Sequence, residues 1–374
     1  MSINTEENKV CQEDWEILMS MLPENWIQQA KDLGALTRRR NIDSAQVLLR
    51  VLLIHFCEGK SLRTTAAFAG EAGLCVIRDV PLLHRMKSSE RWLNWMALEM
   101  AKDLQKFDTL KLPAGKYRIR LLDGTVISEQ GSTGTDWRIH FSMVLPTLAC
   151  DTFIIADKSV GESLCVYPVE PLDLLIADRV FCTRKGISHV VKSKGDVLLR
   201  YHSTILPLKT RSLRPFPILE RLSHLAAGEV GDWDVWVTDP DNNEPIKGRV
   251  CAIRKSEEAI AIALEKLRKT ARREGRCLRP ETLEHAKYVI LFTTVNRHNL
   301  KKTDALRLYR FRWQIELTFK RMKSIVGVGY LPKKDPASCK AWLYGKMVVA
   351  LLVERLHREA EFFSPWGYPL RNEG

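Results

Sequence analysis

Tyr117-Arg-Ile-Arg-Leu-Leu-Asp123 is where the hydrophobic period of this chain changes. Upstream, apolar residues recur three and four apart in segments 15–22, 45–56 and 92–104, the spacing of amphipathic helices. From Tyr117 the alternation is that of a strand, and residues 137–148 and 152–156 follow as further strands. Leu174-Leu-Ile-Ala177 is a short continuous apolar run ending at Asp178, the pattern of a strand covered on both faces. Three strands, a link around Glu162 and a buried strand predict an α/β fold, a mixed sheet flanked by helices.

Residues 1–112 read as a helical N-terminal domain punctuated by Gly59, Gly70, Gly73 and Pro81. Within it, Ser61-Leu-Arg-Thr-Thr-Ala-Ala-Phe-Ala69 predicts a short helix with Arg63 exposed, part of a helix-turn-helix-like unit suited to DNA. Segment 191–287 has β-type runs at 196–201 and 233–238, joints at Pro207, Pro215, Pro217, Pro240 and Pro245, and a charged helix at 256–273. It is expected to be a β-rich insertion domain dividing the catalytic core into 113–190 and 288–330. A buried strand at 287–295, a helix from Asp304 to about Val326 and a C-terminal helical segment over 331–374 complete the chain.

The 374 residues are 45% hydrophobic and 28% charged, enough apolar content for a large core. Lys and Arg number 58 against 45 Asp and Glu, which favours a polyanionic partner. The excess is local: between Arg297 and Lys323 nine basic residues face two acidic ones. Nine scattered cysteines without a Cys-x-x-Cys pair predict reduced thiols and no zinc site. No apolar stretch reaches the length of a membrane span, so no membrane partner and a cytoplasmic, nucleoid-associated location are expected.

Asp123 and Asp178 each follow the apolar end of a predicted strand, where a sheet delivers side chains into a shared crevice. Taken singly, either reads more simply as an aspartate that begins a turn. Glu316 lies in Tyr309-Arg-Phe-Arg-Trp-Gln-Ile-Glu-Leu-Thr-Phe-Lys-Arg-Met-Lys323, where about 100° per residue gathers Tyr309, Arg312, Glu316, Lys320 and Lys323 on one helix face. A solvated face with an Arg312–Glu316 ion pair is the simpler reading of the helix alone. Two strand-end aspartates and a helical glutamate are, however, the oxygen donors that hard divalent cations take in phosphoryl transfer. The neighbouring cations would hold phosphates. His140 and His189 have no serine or cysteine partner in register and read as structural.

The spacing Tyr309-x2-Arg312-x3-Glu316-x6-Lys323 resembles the signature of the DDE transposases of insertion-sequence family four. Asp123-Gly-Thr125 and Ala177-Asp-Arg-Val-Phe181 are similar to the family's two aspartate motifs, in the same order. The resemblance implies an RNase H-like core with a mainly β insertion between the second aspartate and the glutamate, here 316 − 178 = 138 residues apart. It implies Asp123, Asp178 and Glu316 as catalytic metal ligands for two Mg²⁺, with Mn²⁺ able to substitute. It further implies DNA cleavage at terminal inverted repeats through a hairpin, and strand transfer into target DNA by a homodimer. Tyr309, Arg312, Lys320, Lys323 and Arg179 are the expected phosphate contacts. Family members stack a flipped base on an insertion-domain tryptophan, which puts forward Trp233 and Trp236, the two tryptophans of that region. An RNase H-like nuclease without strand transfer and an inactive DNA-binding relic are the alternatives.

Overall fold

The computed structural model describes residues 15–37, 41–103, 115–129, 137–145, 149–313, 330–331 and 335–362. Its first part is helical: α1 (Trp26–Asp32), α2 (Ala45–Glu58), α3 (Leu62–Glu71), α4 (Asp79–Ser88) and α5 (Glu90–Asp103). Ser44 and Ser61 start α2 and α3 by accepting the amide hydrogens of Val47 and Thr64, and Gly59 ends α2 in the left-handed conformation (φ 63°). The unit expected around Arg63 is therefore two helices joined by a three-residue link, Gly59 to Ser61, with Arg63 exposed on α3.

A single mixed sheet follows. β1 (Arg118–Glu129), β2 (Trp137–Leu145) and β3 (Ala149–Asp157) form an antiparallel meander. β4 (Asp173–Ala177) pairs in parallel with β1, and α6 (Arg184–Lys192) carries the chain across to β5 (Asp196–Arg200), parallel to β4. After the short helix α7 (Ile218–Ser223), β6 (Val230–Thr238) and β7 (Pro245–Arg254) form an antiparallel pair. α8 (Glu257–Arg273), α9 (Pro280–Ala286) and β8 (Tyr288–Thr293) come next, and β8 inserts between β5 and β7. The order is β3-β2-β1-β4-β5-β8-β7-β6, mixed as expected.

Segment 191–287 does not stand apart from this sheet. β5 lies beside β4, and β7 and β6 continue past β8, so the boundary expected near residue 190 falls within continuous strand pairing. Pairing with β8 covers an edge of β5 that would otherwise expose its amides and carbonyls. β1 also departs from expectation: it runs on to Glu129, nine of its residues paired with β2.

Alternate residues of each central strand enter different cores. Leu121, Leu174, Ile176 and Leu198 join the cluster built with the N-terminal helices, while Leu122, Leu175, Ala177, Val197 and Leu199 pack on the other face with Ile187 and Val190 of α6. α10 (Lys302–Arg310) adds Ala305 and Leu308 to the first cluster. The helix expected from Asp304 to about Val326 is interrupted by a turn at Phe311, whose amide hydrogen goes to the Leu308 carbonyl; helical backbone resumes at 312–313, and 314–326 lie outside the described residues. Strand β9 (Tyr330–Leu331) pairs with the far end of β1. The final helix, α11 (Pro336–Phe362), packs against α2, α4 and α5. The segment expected as a separate C-terminal unit thus shares the core of the N-terminal helices, with Trp342 edge-on to Phe56 at 5.7 Å between ring centroids.

Candidate active site

The parallel register of β1 and β4 sets the site. Arg118 lies opposite Asp173 and Leu121 opposite Ile176, a constant offset of 173 − 118 = 55 residues. Asp123 and Asp178 have the same offset, 178 − 123 = 55, and stand two residues beyond the last pair. Carried two residues on, that offset sets Asp123, inside β1, level with Asp178, one residue past the end of β4, on chains about 5 Å apart. The period of two puts both on the face of Leu121 and Ile176, towards the N-terminal helices and α10. Both are half-buried.

A buried arginine holds that register. Arg120, 1% exposed, pairs with Asp173 at 2.9 Å and Asp151 at 2.7 Å. It also donates to the Pro168 carbonyl and the hydroxyls of Ser142 and Thr152. One guanidinium thus ties β1 to β2, β3 and β4. Arg118 adds a forked pair of hydrogen bonds to Asp173, at 2.5 and 2.8 Å. Burial pushes the Asp173 carboxyl up, but Arg118, the Glu170 amide and Arg120 together hold it below the usual range.

Each aspartate is fixed differently. Asp123 accepts the Gly124 amide hydrogen on Oδ1, and its carbonyl accepts the Tyr167 hydroxyl at 2.9 Å. Gly124 has no room for a side chain, because a Cβ there would lie 2.8 Å from Cγ of Glu162. Glu162, whose part the sequence left open, therefore lies against the first aspartate's neighbour, with Arg138 Nε 3.7 Å from its carboxylate. Asp178 begins a short 3-10 turn, Arg179–Phe181, through its backbone carbonyl. Its side chain is left for other work: Oδ1 accepts the Tyr309 hydroxyl at 3.3 Å.

Tyr309 is half-buried at the end of α10, and the Arg312 guanidinium lies over its ring at 5.6 Å. Burial pushes the phenol up, Arg312 and Arg200 oppose that, and Asp178 adds to it, so the hydroxyl keeps its proton and donates. Arg200 was not foreseen. The β4–β5 register pairs Ala177 with Leu199, which sets Arg200 level with Asp178. Only strand pairing reveals this, since an isolated arginine at a strand end carries no signal of its own. Trp313, also unforeseen, is 58% exposed beside Arg312 and offers a flat surface on which a base can stack.

The sequence-predicted residues fall into three groups. Asp178, Tyr309 and Arg312 meet past the end of β4, with Arg179 next in the chain, while Asp123 lies within β1 rather than at the strand end expected of it, because β1 continues to Glu129. Glu316, Lys320 and Lys323 lie outside the described residues. Trp233 and Trp236 sit on β6, four strand spacings from β4, roughly 19 Å. Trp233 folds over Gly231, and Trp236 carries the Lys247 ammonium at 6.0 Å.

Two half-buried carboxylates side by side suit a divalent cation in donor type. Among the described residues no group of three histidine, cysteine or acidic side chains gathers for a metal, and the third expected donor is Glu316. No disulfide joins Cys57, Cys75, Cys165, Cys182, Cys251, Cys277 or Cys339 to another of them. No described helix is long and apolar enough to cross a membrane.

A mixed α/β sheet that sets two carboxylates level beside arginines has the donor types that metal-dependent phosphoryl-transfer enzymes use. Comparison with known proteins gives the family. Residues 157–352 match the family described as "Transposase DDE domain". A protein of Escherichia coli (strain K12) named "Putative transposase InsL for insertion sequence element IS186A" is 30% identical over 359 residues, 94% of this chain and 96% of that protein. The transposase for insertion sequence element IS421, also from Escherichia coli, is 30% identical over 360 residues, 94% of this chain and 96% of that protein. The chain belongs to the DDE transposase family, metal-dependent polynucleotidyl transferases and endonucleases.

Proposed function

We propose that the chain is a cut-and-paste transposase of insertion-sequence family four, acting on double-stranded DNA at the terminal inverted repeats of its element and joining the freed ends to target DNA. The observation that carries this reading is the shared 55-residue offset, which sets Asp123 level with Asp178 while Tyr309 donates to Asp178.

Asp123, Asp178 and Glu316 would hold two Mg²⁺ ions, with Mn²⁺ able to substitute. Bound divalent ions supply charge stabilisation to the attacking and leaving oxygens of phosphoryl transfer. Tyr309 fixes the rotamer of Asp178 through its hydroxyl, and Arg312, held over the Tyr309 ring, presents hydrogen-bond donors to the scissile strand. Arg179, exposed directly after Asp178, and the downstream Lys320 and Lys323 extend that cationic surface. The order β3-β2-β1-β4-β5 supports an RNase H-like core, with β6 to β8 as the insertion that widens it. The helices around Arg63 would grip the element end, two protomers would pair the ends, and Trp233 or Trp236 would receive a flipped base.

The test uses a duplex carrying the DNA that flanks the reading frame, a target plasmid and Mg²⁺. Joined products are expected. Cleavage without joining would reduce the protein to an RNase H-like nuclease, and binding without cleavage to a relic.

A further inference from the structure

Past Asp178, on the sheet face of the second core cluster, lies a cavity of about 770 Å³, floored by Tyr201 and Tyr288 at the ends of β5 and β8 and walled by α8, α9 and the loop between them. Its lining contains six Arg or Lys residues, two histidines and no acidic residue. Arg179, Arg200 and Lys255 form the side nearest Asp178, and Lys266, Arg276 and Arg279 the far side.

The near-side cations are crowded against one another. Burial pulls the Lys255 ammonium below its usual range, and Arg200 and Arg179 pull it further. Burial lowers Arg200 as well, with Arg179 and Arg312 adding to the effect and Tyr309 and Asp178 opposing it. Their hydrogen bonds go to neutral backbone carbonyls, Lys255 to Ala286 at 2.7 Å and Arg200 to Tyr288 at 3.3 Å. His285 has its Nδ1 on the Glu281 carbonyl at 2.7 Å, while its buried Nε2 has no partner. Like charges held together at the wall of a cavity whose lining has no carboxylate, with Asp178 offsetting only Arg200, cost free energy that an anion in the cavity would return.

From this we infer that the cavity is a phosphate-binding pocket, which takes the sugar-phosphate backbone of one DNA strand as it leaves the Asp123–Asp178 centre. It rests on the reading of that centre as the place of strand cleavage. The register supports the path: Arg179 follows Asp178, and Arg200 lies level with it on the next strand, so the near wall begins where the cut is made. The concave shape, closed on one side by α8 and α9, suits a single strand more than a duplex about 20 Å across. The cations are spaced over several lining elements, as successive phosphates require.

The pocket contains its own reporter, the exposed thiol of Cys277. Alkylation of Cys277 in the full chain is followed by peptide mass in EDTA, with and without a twelve-nucleotide single strand, alongside binding by fluorescence anisotropy. Lys266→Glu with Arg279→Glu reverses two exposed pocket cations. Arg268→Glu with Arg272→Glu makes the same charge change on exposed α8 positions outside the lining.

The expected result is slower alkylation of Cys277 on the bound strand and a loss of affinity of about tenfold or more in the pocket variant. The pocket variant's salt slope should also be smaller by about 1.4, at about 0.7 per phosphate contact. The α8 control should keep both the protection and the slope. Equal losses in the two variants, or unchanged Cys277 reactivity, would overturn the pocket. Protection by inorganic phosphate at the same concentration as strand phosphate would make it a free-anion site instead. Because metal is absent throughout, this outcome is separate from cleavage: an Asp178→Asn enzyme that still cuts would remove the catalytic reading and leave the pocket standing.

Discussion

Replacing Arg120 by methionine removes the one cation that ties β1 to β2, β3 and β4. Breaking a buried ion pair by deleting one partner costs about 3–5 kcal/mol. Asp173 is cushioned, since it keeps Arg118 at 2.5 and 2.8 Å and the Glu170 amide. Asp151 loses its arginine but keeps the Ser142 hydroxyl. The Pro168 carbonyl and the Ser142 and Thr152 hydroxyls each lose a donor, at about 1 kcal/mol apiece. Methionine fills part of the volume and returns some of this. The net expectation is a loss of about 3–5 kcal/mol, a large share of a typical domain's 5–15 kcal/mol. Urea unfolding followed by circular dichroism gives the number. The double variant Arg120→Met, Asp151→Asn should regain at least about 1 kcal/mol, because it discharges the carboxylate left without its partner. A single-variant loss below about 1 kcal/mol would refute the argument, since it would mean the guanidinium is not what holds these strands in register.

Tyr309→Phe deletes a long hydrogen bond to Asp178; at about 1 kcal/mol it should slow single-turnover cleavage roughly fivefold with DNA affinity unchanged, and lost affinity with normal cleavage of bound DNA would contradict this. His140 is fully buried beside Tyr167, and burial, aided by Arg138, lowers its pKa from 6.5 to about 4. The unfolded chain therefore takes up this proton first, so the stability His140 contributes is complete above pH 6.5 and lost as pH falls towards 4. A denaturation series should show that limb, and His140→Phe should flatten it. Gly345→Ala would gain about 1 kcal/mol of helix propensity, but its Cβ would sit 2.2 Å from a Phe56 ring carbon. Overpacking at about 1–3 kcal/mol should win, lowering the thermal midpoint; a raised midpoint would show that α2 and α11 separate freely.

Where the hydrophobic period was strong, the sequence located the elements. The run ending at Asp178 lies where its apolar residues put it, the charged helix expected over 256–273 is there, and the last helix falls within the helical segment expected over 331–374. What periodicity lacks is pairing. Nothing local says that β5 joins β4 or that β8 separates β5 from β7, because register is a long-range choice between faces. β7 was not foreseen, with Pro245 at its start and Gly248 under the Phe292 ring diluting the pattern. Alternation along β1 also suggests a solvated face for Arg118 and Arg120, whereas Asp173 and Asp151 draw them inward. The aspartates were legible because they end apolar runs, whereas Arg200 and the cationic cavity exist only after the strands are laid side by side.

The most direct test of the catalytic centre is Asp178→Asn, measured for end binding and for Mg²⁺-dependent cleavage of the same labelled end fragment. The change keeps the side chain's size and its place opposite Tyr309 while removing the charge. Cleavage should fall by at least about 4 kcal/mol in activation free energy, roughly a thousandfold, with binding affinity and unfolding midpoint retained. Cleavage within about tenfold of the parent chain would contradict the account.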